Sequence, residues 1–295
     1  MGAVESVRPA RPKFLLDTNV FRRLADGKLG EIEERLLKIG RLRRTGQPVW
    51  WTCPTVCQEI LCHIRPEEAD RFDHFHLALR WMEDLCGNDG MAEDFPWALA
   101  CGLFTERGSS EDGTVVLFNQ VRRKFLRART FAEVTPQMLE SLRGLRAAFE
   151  ERIAEWKHGQ AQALEGMRKL MPAPVTEEAL LAVLTEAIVN AIRRLQEPRV
   201  SSWGQMRSGE DQKIAMREVI AFRLSQYRKA RQYPNYFVKT NDHNDGWLCP
   251  YPGAGFCLVT GDEKLKRALL MAGCEDPRVM ELPEALEAAE KAFGE

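Results

Sequence analysis

The chain has 295 residues, of which 44% are hydrophobic and 29% are charged. This balance is typical of a globular protein and argues against a disordered chain, and the length allows one large domain or two ordinary ones. Because the formal net charge is only −1, any attraction to nucleic acid has to come from local basic surface.

The first predicted strand is a short apolar run, residues 14–16, that ends at the carboxylate of Asp17. Residues 1–12 before it are expected to form a flexible tail. A short apolar run bounded by polar residues favours a strand buried on both faces. Asp17 then lies at the carboxyl end of the strand, where an open α/β sheet forms its ligand crevice. Thr18 or Asn19 is expected to cap the following helix, and a purely capping or turn role for Asp17 is the alternative interpretation.

The second predicted strand covers residues 49–52 and follows an amphipathic helical pattern over residues 31–44. Pro54 suits the first turn of a helix, and this next helix carries Glu59. The resulting order of strand, two helices, strand and helix predicts an α/β sandwich.

The eight cysteines include no CxxC pair. Cys53, Cys57 and Cys62 precede His63, but their spacings do not match the common zinc patterns, so a zinc site is the less favoured interpretation. Reduced, mostly buried thiols are favoured instead. Together with the lack of a secretory signal and of a membrane-spanning window, they predict a cytoplasmic protein with no membrane partner.

Residues 66–239 show a mostly helical pattern with little strand signal. Helices are predicted over residues 71–85, 114–129, 136–171, 180–195 and 211–231. The second of these ends in a basic cluster that includes Arg122, Arg123, Lys124 and Arg127. Such residues bind nucleic-acid phosphates without sequence preference, whereas a solvated helix face is the plainer interpretation.

Residues 256–262 repeat the pattern of the first strand, with an apolar run followed by Thr260 and Asp262. A helix over 263–272, a fourth strand over 278–282 and a last helix over 284–293 complete the predicted elements. Neighbouring parallel strands that both end in aspartates bring the two carboxylates to one edge of the sheet. Like charges held close cost energy unless a cation offsets them or a proton is shared, so the pair indicates a divalent metal. Hard oxygen ligands indicate Mg²⁺ or Mn²⁺.

The sequences Leu-Leu-Asp-Thr-Asn at residues 15–19 and Leu-Val-Thr-Gly-Asp at residues 258–262 resemble the first and last signatures of PIN-domain nucleases. This family also has a glutamate early in the helix after its second strand, which Glu59 matches. It has a further aspartate at the start of a helix ahead of the last strand, which Asp245 matches better than Asp242. The resemblance covers residues 13–65 and 240–295, which it implies form a discontinuous nuclease core, with residues 66–239 as a helical insertion.

The resemblance implies a three-layer α/β/α core around a central parallel sheet, plus a long, mainly helical insertion. Four carboxylates are implied as metal ligands and catalytic residues: Asp17, Glu59, Asp245 and Asp262. Four neighbours are implied to orient a carboxylate or a bound water: Thr18, Asn19, Thr260 and Asp242. A cap or turn role is the alternative for Asn19, Thr260 and Asp242. His243 is interpreted as a loop residue in preference to a general acid.

The expected function is a metal-dependent endoribonuclease, acting as the toxin of a toxin–antitoxin pair or as a defence nuclease. An RNA substrate, an antitoxin protein and a second copy of the chain are expected partners by family analogy alone. Two alternatives stay open at this point. One is a non-catalytic PIN-like scaffold that binds RNA or protein, and the other is a structure-specific DNA nuclease.

Overall fold

The structure is a computed structural model that describes residues 12–41, 48–93, 113–170, 209–233, 235–237, 239–274 and 278–293, together with residues 179, 182–183 and 186. The tail expected before residue 12 and most of the helix expected over 180–195 lie outside the described residues. Among the described helices, none combines the length and the apolar character that a membrane span requires.

Four strands form one parallel sheet in the order β2-β1-β3-β4. Their bounds are β1 Lys13–Leu16, β2 Trp50–Trp51, β3 Phe256–Val259 and β4 Val279–Met280. β1 and β3 pair along their whole length, with Leu16 opposite Val259. The predicted α/β class and the parallel sheet are therefore confirmed.

Helices make up most of the remaining described chain. Those before β3 are α1 Thr18–Ala25, α2 Glu31–Arg41, α3 Pro54–Cys62, α4 Phe72–Cys86, α5 Gly113–Arg127, α6 Pro136–Leu170, α7 Gly209–Ala215, α8 Arg217–Gln232 and α9 Thr240–Leu248. After β3 come α10 Glu263–Met271 and α11 Leu282–Phe293. The single helix expected over 211–231 is two helices, because the chain leaves helical geometry at Met216.

The central strand β1 is buried because it has neighbours in the sheet and helices around it. Phe14, Leu15 and Leu16 have no exposed surface, which explains why the strand is a continuous apolar run. The ring of Trp50 in β2 lies 5.4 Å from that of Phe14. Its indole Nε1 donates to the carbonyl oxygen of Leu36, 3.2 Å away, and so ties α2 to the sheet.

The helices of residues 66–239 share the hydrophobic core of the sheet. Phe72 of α4, Phe125 of α5 and Met216 belong to the same continuous cluster of buried side chains as Phe14 and Leu258. The segment predicted as an insertion is therefore packed into the core, and its described residues contain no strand.

One contact of this segment was not predicted. Met91 forms an isolated parallel bridge with Thr52, just after β2. The amide of Thr52 donates to the carbonyl oxygen of Gly90 at 2.8 Å, and the amide of Ala92 donates to that of Thr52 at 2.7 Å. This bridge extends pairing beyond the outer side of β2.

The strand order positions the site. The connection after β1 leads to β2 on one side, whereas the connection after β3 leads to β4 on the other. Between β1 and β3 the two connections leave the sheet in opposite directions, which opens a crevice outside the carboxyl ends of these strands. Asp17 and Thr260 are the first residues after β1 and β3.

Candidate carboxylate site at the strand ends

Asp17 joins the two central strands and begins α1. Its amide donates to the carbonyl oxygen of Val259, 2.9 Å away. One carboxylate oxygen, Oδ1, accepts the amide of Thr18 at 2.6 Å, which makes Asp17 the N-cap of α1. The other, Oδ2, accepts the hydroxyl of Thr260 at 2.8 Å and the side-chain amide of Asn19 at 3.2 Å. The expectation that Thr18 or Asn19 caps this helix is wrong, because both already lie in its first turn.

Glu59 reaches the same place from the other side of β1. It lies in α3, which begins just after β2 with Pro54 in its first turn. The hydroxyl of Thr18 donates to Glu59 Oε2 at 2.8 Å. Thr18 therefore links the carboxylate of α3 to the start of α1.

Asp262 stands at the end of the turn after β3. Its Oδ1 accepts the amide of Lys264 at 2.8 Å, so it is the N-cap of α10. Its own amide donates to the hydroxyl oxygen of Thr260 at 3.0 Å. The Thr260 hydroxyl thus accepts from the Asp262 backbone and donates to Asp17, and it couples the two strand ends.

Helix α9 contributes Asp242 and Asp245, which have different surroundings. Asp242 lies in the first turn, where its Oδ2 accepts the amide of Lys239 at 2.8 Å and the hydroxyl of Tyr236 at 3.3 Å. This is a capping arrangement, one of the two roles considered for Asp242. Asp245 was expected to open the helix, but it lies one turn later.

His243 is not a loop residue, and that expectation is wrong. It belongs to α9 and has no exposed surface. Its ring stacks on Trp247 at 5.0 Å and meets the edge of Trp156 in α6 at 5.2 Å. Burial lowers the pKa of His243 to about 4, so the ring is neutral near pH 7. An enclosed, neutral ring has no proton on hand to donate as an acid near pH 7, which disfavours the role of a general acid.

The carboxylates repel one another in a desolvated setting. Burial, and then repulsion by Asp17, raises the pKa of Glu59 to about 7. Burial, and then repulsion led by Asp17 and Asp262, raises the pKa of Asp245 to about 8. Burial also raises the pKa of Asp17, although its three hydrogen bonds oppose that shift. Each of these three acids therefore makes it harder for the others to lose a proton.

The chemistry of these donors fits a hard divalent cation. Oxygen ligands suit Mg²⁺ and Mn²⁺, and a cation among Asp17, Glu59 and Asp245 offsets the repulsion between them. Within the described residues, however, no three His, Cys, Asp or Glu side chains already stand as ligands around one point. The fit thus concerns charge and donor type.

The basic cluster of α5 divides into a buried and an exposed part. Arg122 has no exposed surface, and its guanidinium lies 2.7 Å from Glu83 Oε2 and donates to the carbonyl oxygen of Gly87 at 2.8 Å. The expectation that Arg122 contacts nucleic acid is therefore wrong, because its charge is used inside the protein. Exposed members of the cluster, for which the prediction stands, are Arg123, Lys124 and Arg127.

Cys57 and Cys62 are poor candidates for a thiolate site. The seven described cysteines make no disulfide with one another. Burial raises the pKa of Cys57 and that of Cys62 to about 12. A thiol must lose its proton to bind zinc, so these values disfavour a zinc site at Cys57 and Cys62.

Arg22 is a site neighbour that the sequence analysis missed. It lies one helical turn after Thr18 on α1, and its charge lowers the pKa of Glu59. The signal was present in the sequence, because residues four apart on a helix share a face. Recognising it required knowing that Thr18 contacts Glu59.

Comparisons of the chain with family models, with curated proteins and with solved structures found no match. The function is consequently argued from the carboxylates, their surroundings and their place in the sheet.

Proposed function

We propose that this protein is a metal-dependent nuclease that hydrolyses phosphodiester bonds in RNA. The observation that carries the proposal is that Thr18 links Asp17 to Glu59 at the crevice between β1 and β3, with Asp245 close enough to be repelled by both. Burial and mutual repulsion raise the pKa of each of these acids. Perturbed carboxylates in a crevice are typical of functional sites, and a structural role alone gives no reason to collect them there.

The proposed cofactor is Mg²⁺ or Mn²⁺, held by Asp17, Glu59, Asp245 and Asp262. When bound, such an ion lowers the pKa of a coordinated water and stabilises charge on the phosphoryl oxygens. The chain's own contribution is to hold the carboxylates in place. Thr260 and Asn19 hold Asp17, and Thr18 holds Glu59.

The resemblance to PIN-domain nucleases supports the same proposal independently of the geometry. Under it, residues 13–65 and 240–295 form a PIN-like three-layer core and residues 66–239 form a helical insertion. RNA is favoured over DNA by that resemblance alone, as are the role of a toxin, an antitoxin partner and a homodimer.

The test is cleavage of RNA and DNA by the wild-type protein and by Asp17→Asn, each with Mn²⁺, Mg²⁺ or EDTA. Asparagine also caps helices well, so the variant is expected to fold. We expect wild-type cleavage that requires metal, and a loss of at least about 100-fold in the variant, because a ligand charge is removed. The matched control is Asp211→Asn, an exposed aspartate of α7, which should cleave like the wild type. Full activity of Asp17→Asn would refute the proposed site.

A second candidate is a PIN-like scaffold that binds RNA or protein without catalysis. It is favoured by the oxygens of Asp17, which already accept three hydrogen bonds from the protein. Isothermal titration with Mn²⁺ separates the two candidates. The nuclease predicts Mn²⁺ binding that Asp245→Asn weakens. The scaffold predicts that the wild-type protein does not bind Mn²⁺.

A further inference from the structure

A basic cavity lies beside the carboxylate site. Its volume is about 340 Å³, and its lining residues are Arg22, Asp26, Arg71 and His74. It lies between the last turn of α1 and the first turn of α4, where His74 Nδ1 is 3.3 Å from Asp26 Oδ1. This volume falls within the range of ordinary ligand pockets.

Helix α1 connects this cavity to the carboxylates. Thr18, Arg22 and Asp26 follow one another at intervals of four residues, so they share one face of the helix. Thr18 bonds to Glu59 at one end of that face, and Asp26 lines the cavity at the other. At 1.5 Å per residue the two ends are about 12 Å apart along the axis. A polymer bound at the carboxylates and following this face passes over Arg22.

Positive charge dominates the cavity. Asp26 is occupied by Lys28 at 3.0 Å and by His74, and Arg71 is 3.2 Å from Glu68 while 46% of its side chain stays exposed. Arg22 makes no ion pair with any residue in the described part of the chain. Its guanidinium is thus available to an outside anion.

The pKa of His63 is also affected by the positive charge near this cavity. The ring of His63 stacks on Phe75 at 4.9 Å, directly after the end of α3. Its pKa is lowered to about 4, first by burial and then by four arginines: Arg22, Arg65, Arg71 and Arg146. Arg65 and Arg71 pair with Glu68, so at the edge between α1, α3 and α4 Arg22 is the arginine whose charge the described carboxylates do not pair with directly.

We propose that the cavity binds a backbone phosphate of the substrate strand, with Arg22 and Arg71 as its ligands. The proposal rests on the proposed nuclease function and adds the direction in which the strand leaves the carboxylates, along α1 toward α4. The planar guanidinium group of arginine suits phosphate oxygens through paired hydrogen bonds. Such contacts position a strand and carry no sequence preference.

The test measures binding of a fluorescein-labelled single-stranded RNA by fluorescence anisotropy, in EDTA and over a series of salt concentrations. Arg22→Gln and Arg71→Gln should each weaken binding by about 5-fold and reduce the slope of log K against log salt by about 0.7, since each removes one phosphate contact. Arg22→Lys keeps the charge but loses the planar guanidinium, so its affinity should lie between those of the wild type and Arg22→Gln.

The matched control is Arg41→Gln. Arg41 is an exposed arginine at the end of α2, which leads to the amino end of β2 and so lies at the opposite edge of the sheet. The Arg41→Gln variant should bind RNA with the affinity of the wild type and with the same slope of log K against log salt. Thermal melting of each variant checks that the fold is kept.

The outcomes separate this inference from the nuclease proposal. Wild-type binding and slope in both Arg22→Gln and Arg71→Gln overturn the phosphate site, even if the protein cleaves RNA. A wild-type protein that binds RNA through these arginines but cleaves nothing overturns the nuclease and leaves the phosphate site standing. A wild-type protein that binds no RNA overturns the phosphate site as well.

Discussion

At the scale of single residues, Asp17 combines two roles that the sequence presented as alternatives. It caps α1 through the amide of Thr18, and it is also a buried carboxylate whose pKa is raised. The cap explains why an aspartate is tolerated there, because each hydrogen bond stabilises the charged form. The cap does not explain why Glu59 and Asp245 face the same crevice.

Thr260 tests this interpretation most directly. Its hydroxyl donates to Asp17 and accepts from the amide of Asp262. Thr260→Val keeps the shape but removes both bonds, so we expect a loss of about 1 kcal/mol in the free energy of unfolding. Under the proposed nuclease function, cleavage should fall by about 10- to 100-fold, because the carboxylate loses the group that orients it. Urea denaturation and steady-state cleavage measure the two effects.

Thr260→Ser is the control for that substitution, because it restores the hydroxyl and should recover cleavage. If Thr260→Val cleaves like the wild type despite its lower stability, the hydroxyl serves the fold alone and does not position Asp17 for catalysis.

At the scale of elements, short strands depend on close backbone contacts around them. β2 has only two residues, Trp50 and Trp51, and the chain after α4 returns to it through Gly90 and the bridge to Met91. A Cβ atom on Gly90 would lie 2.4 Å from the carbonyl oxygen of Cys86 and 2.7 Å from that of Trp50. Only glycine allows this approach.

Two glycine substitutions should therefore have opposite effects on stability. Gly90→Ala forces backbone atoms apart and should lower the free energy of unfolding by about 2 kcal/mol or more. Gly144 lies inside α6, and apart from the nearby backbone of that helix no atom lies within 4 Å of where a methyl group would be. Gly144→Ala should therefore raise the free energy of unfolding by about 0.5–1 kcal/mol. Chemical denaturation of both variants measures the difference. Equal effects would contradict the close packing of residue 90 on β2.

At the scale of the whole molecule, the described helices of residues 66–239 and the sheet share one hydrophobic cluster. Phe72, Phe125 and Met216 extend the hydrophobic cluster that contains Phe14 and Leu258. The cost of burying the carboxylates near one another is consequently included in the stability of this shared core. This makes global stability a usable reporter of the charge state of the site.

The raised pKa values predict how stability depends on pH without metal. The carboxyl groups of Glu59 and Asp245 titrate at about 7 and 8 in the folded protein, against 4.5 and 3.8 in the unfolded chain. Between these limits the folded state holds more protons, so the free energy of unfolding falls as pH rises. Because each pH unit over which one of these groups stays protonated only in the folded state changes the free energy of unfolding by about 1.4 kcal/mol, we expect a decrease on the order of 5 kcal/mol in EDTA from about pH 5.5 to about pH 8.5. Urea denaturation followed by tryptophan fluorescence measures it.

Two further measurements identify the source of that slope. Asp245→Asn removes the most strongly shifted acid and should flatten it. Mn²⁺ at the higher pH should raise the free energy of unfolding by about 2.7 kcal/mol when its concentration is 100 times the Kd. A slope that Asp245→Asn leaves intact would place the responsible groups elsewhere.

The sequence by itself determined the local elements and the sheet edge. Apolar runs that stop at Asp17 and at Thr260 predicted β1 and β3, because an all-buried strand has to be apolar and its polar residues have to follow it. The sequence also predicted where α3 and α6 begin, at Pro54 and Pro136, since proline suits the first helical turn.

Only the tertiary structure decided which polar side chains meet and which are enclosed. Arg122 belongs to a basic run in the sequence but is buried against Glu83, and His243 follows an apparent loop but packs between tryptophans. Burial and partner depend on contacts between residues far apart in the chain, such as Thr18 with Glu59. A local sequence pattern does not determine those contacts, so the burial of the carboxylates and the position of Arg22 beside Glu59 could be found only from the packed fold.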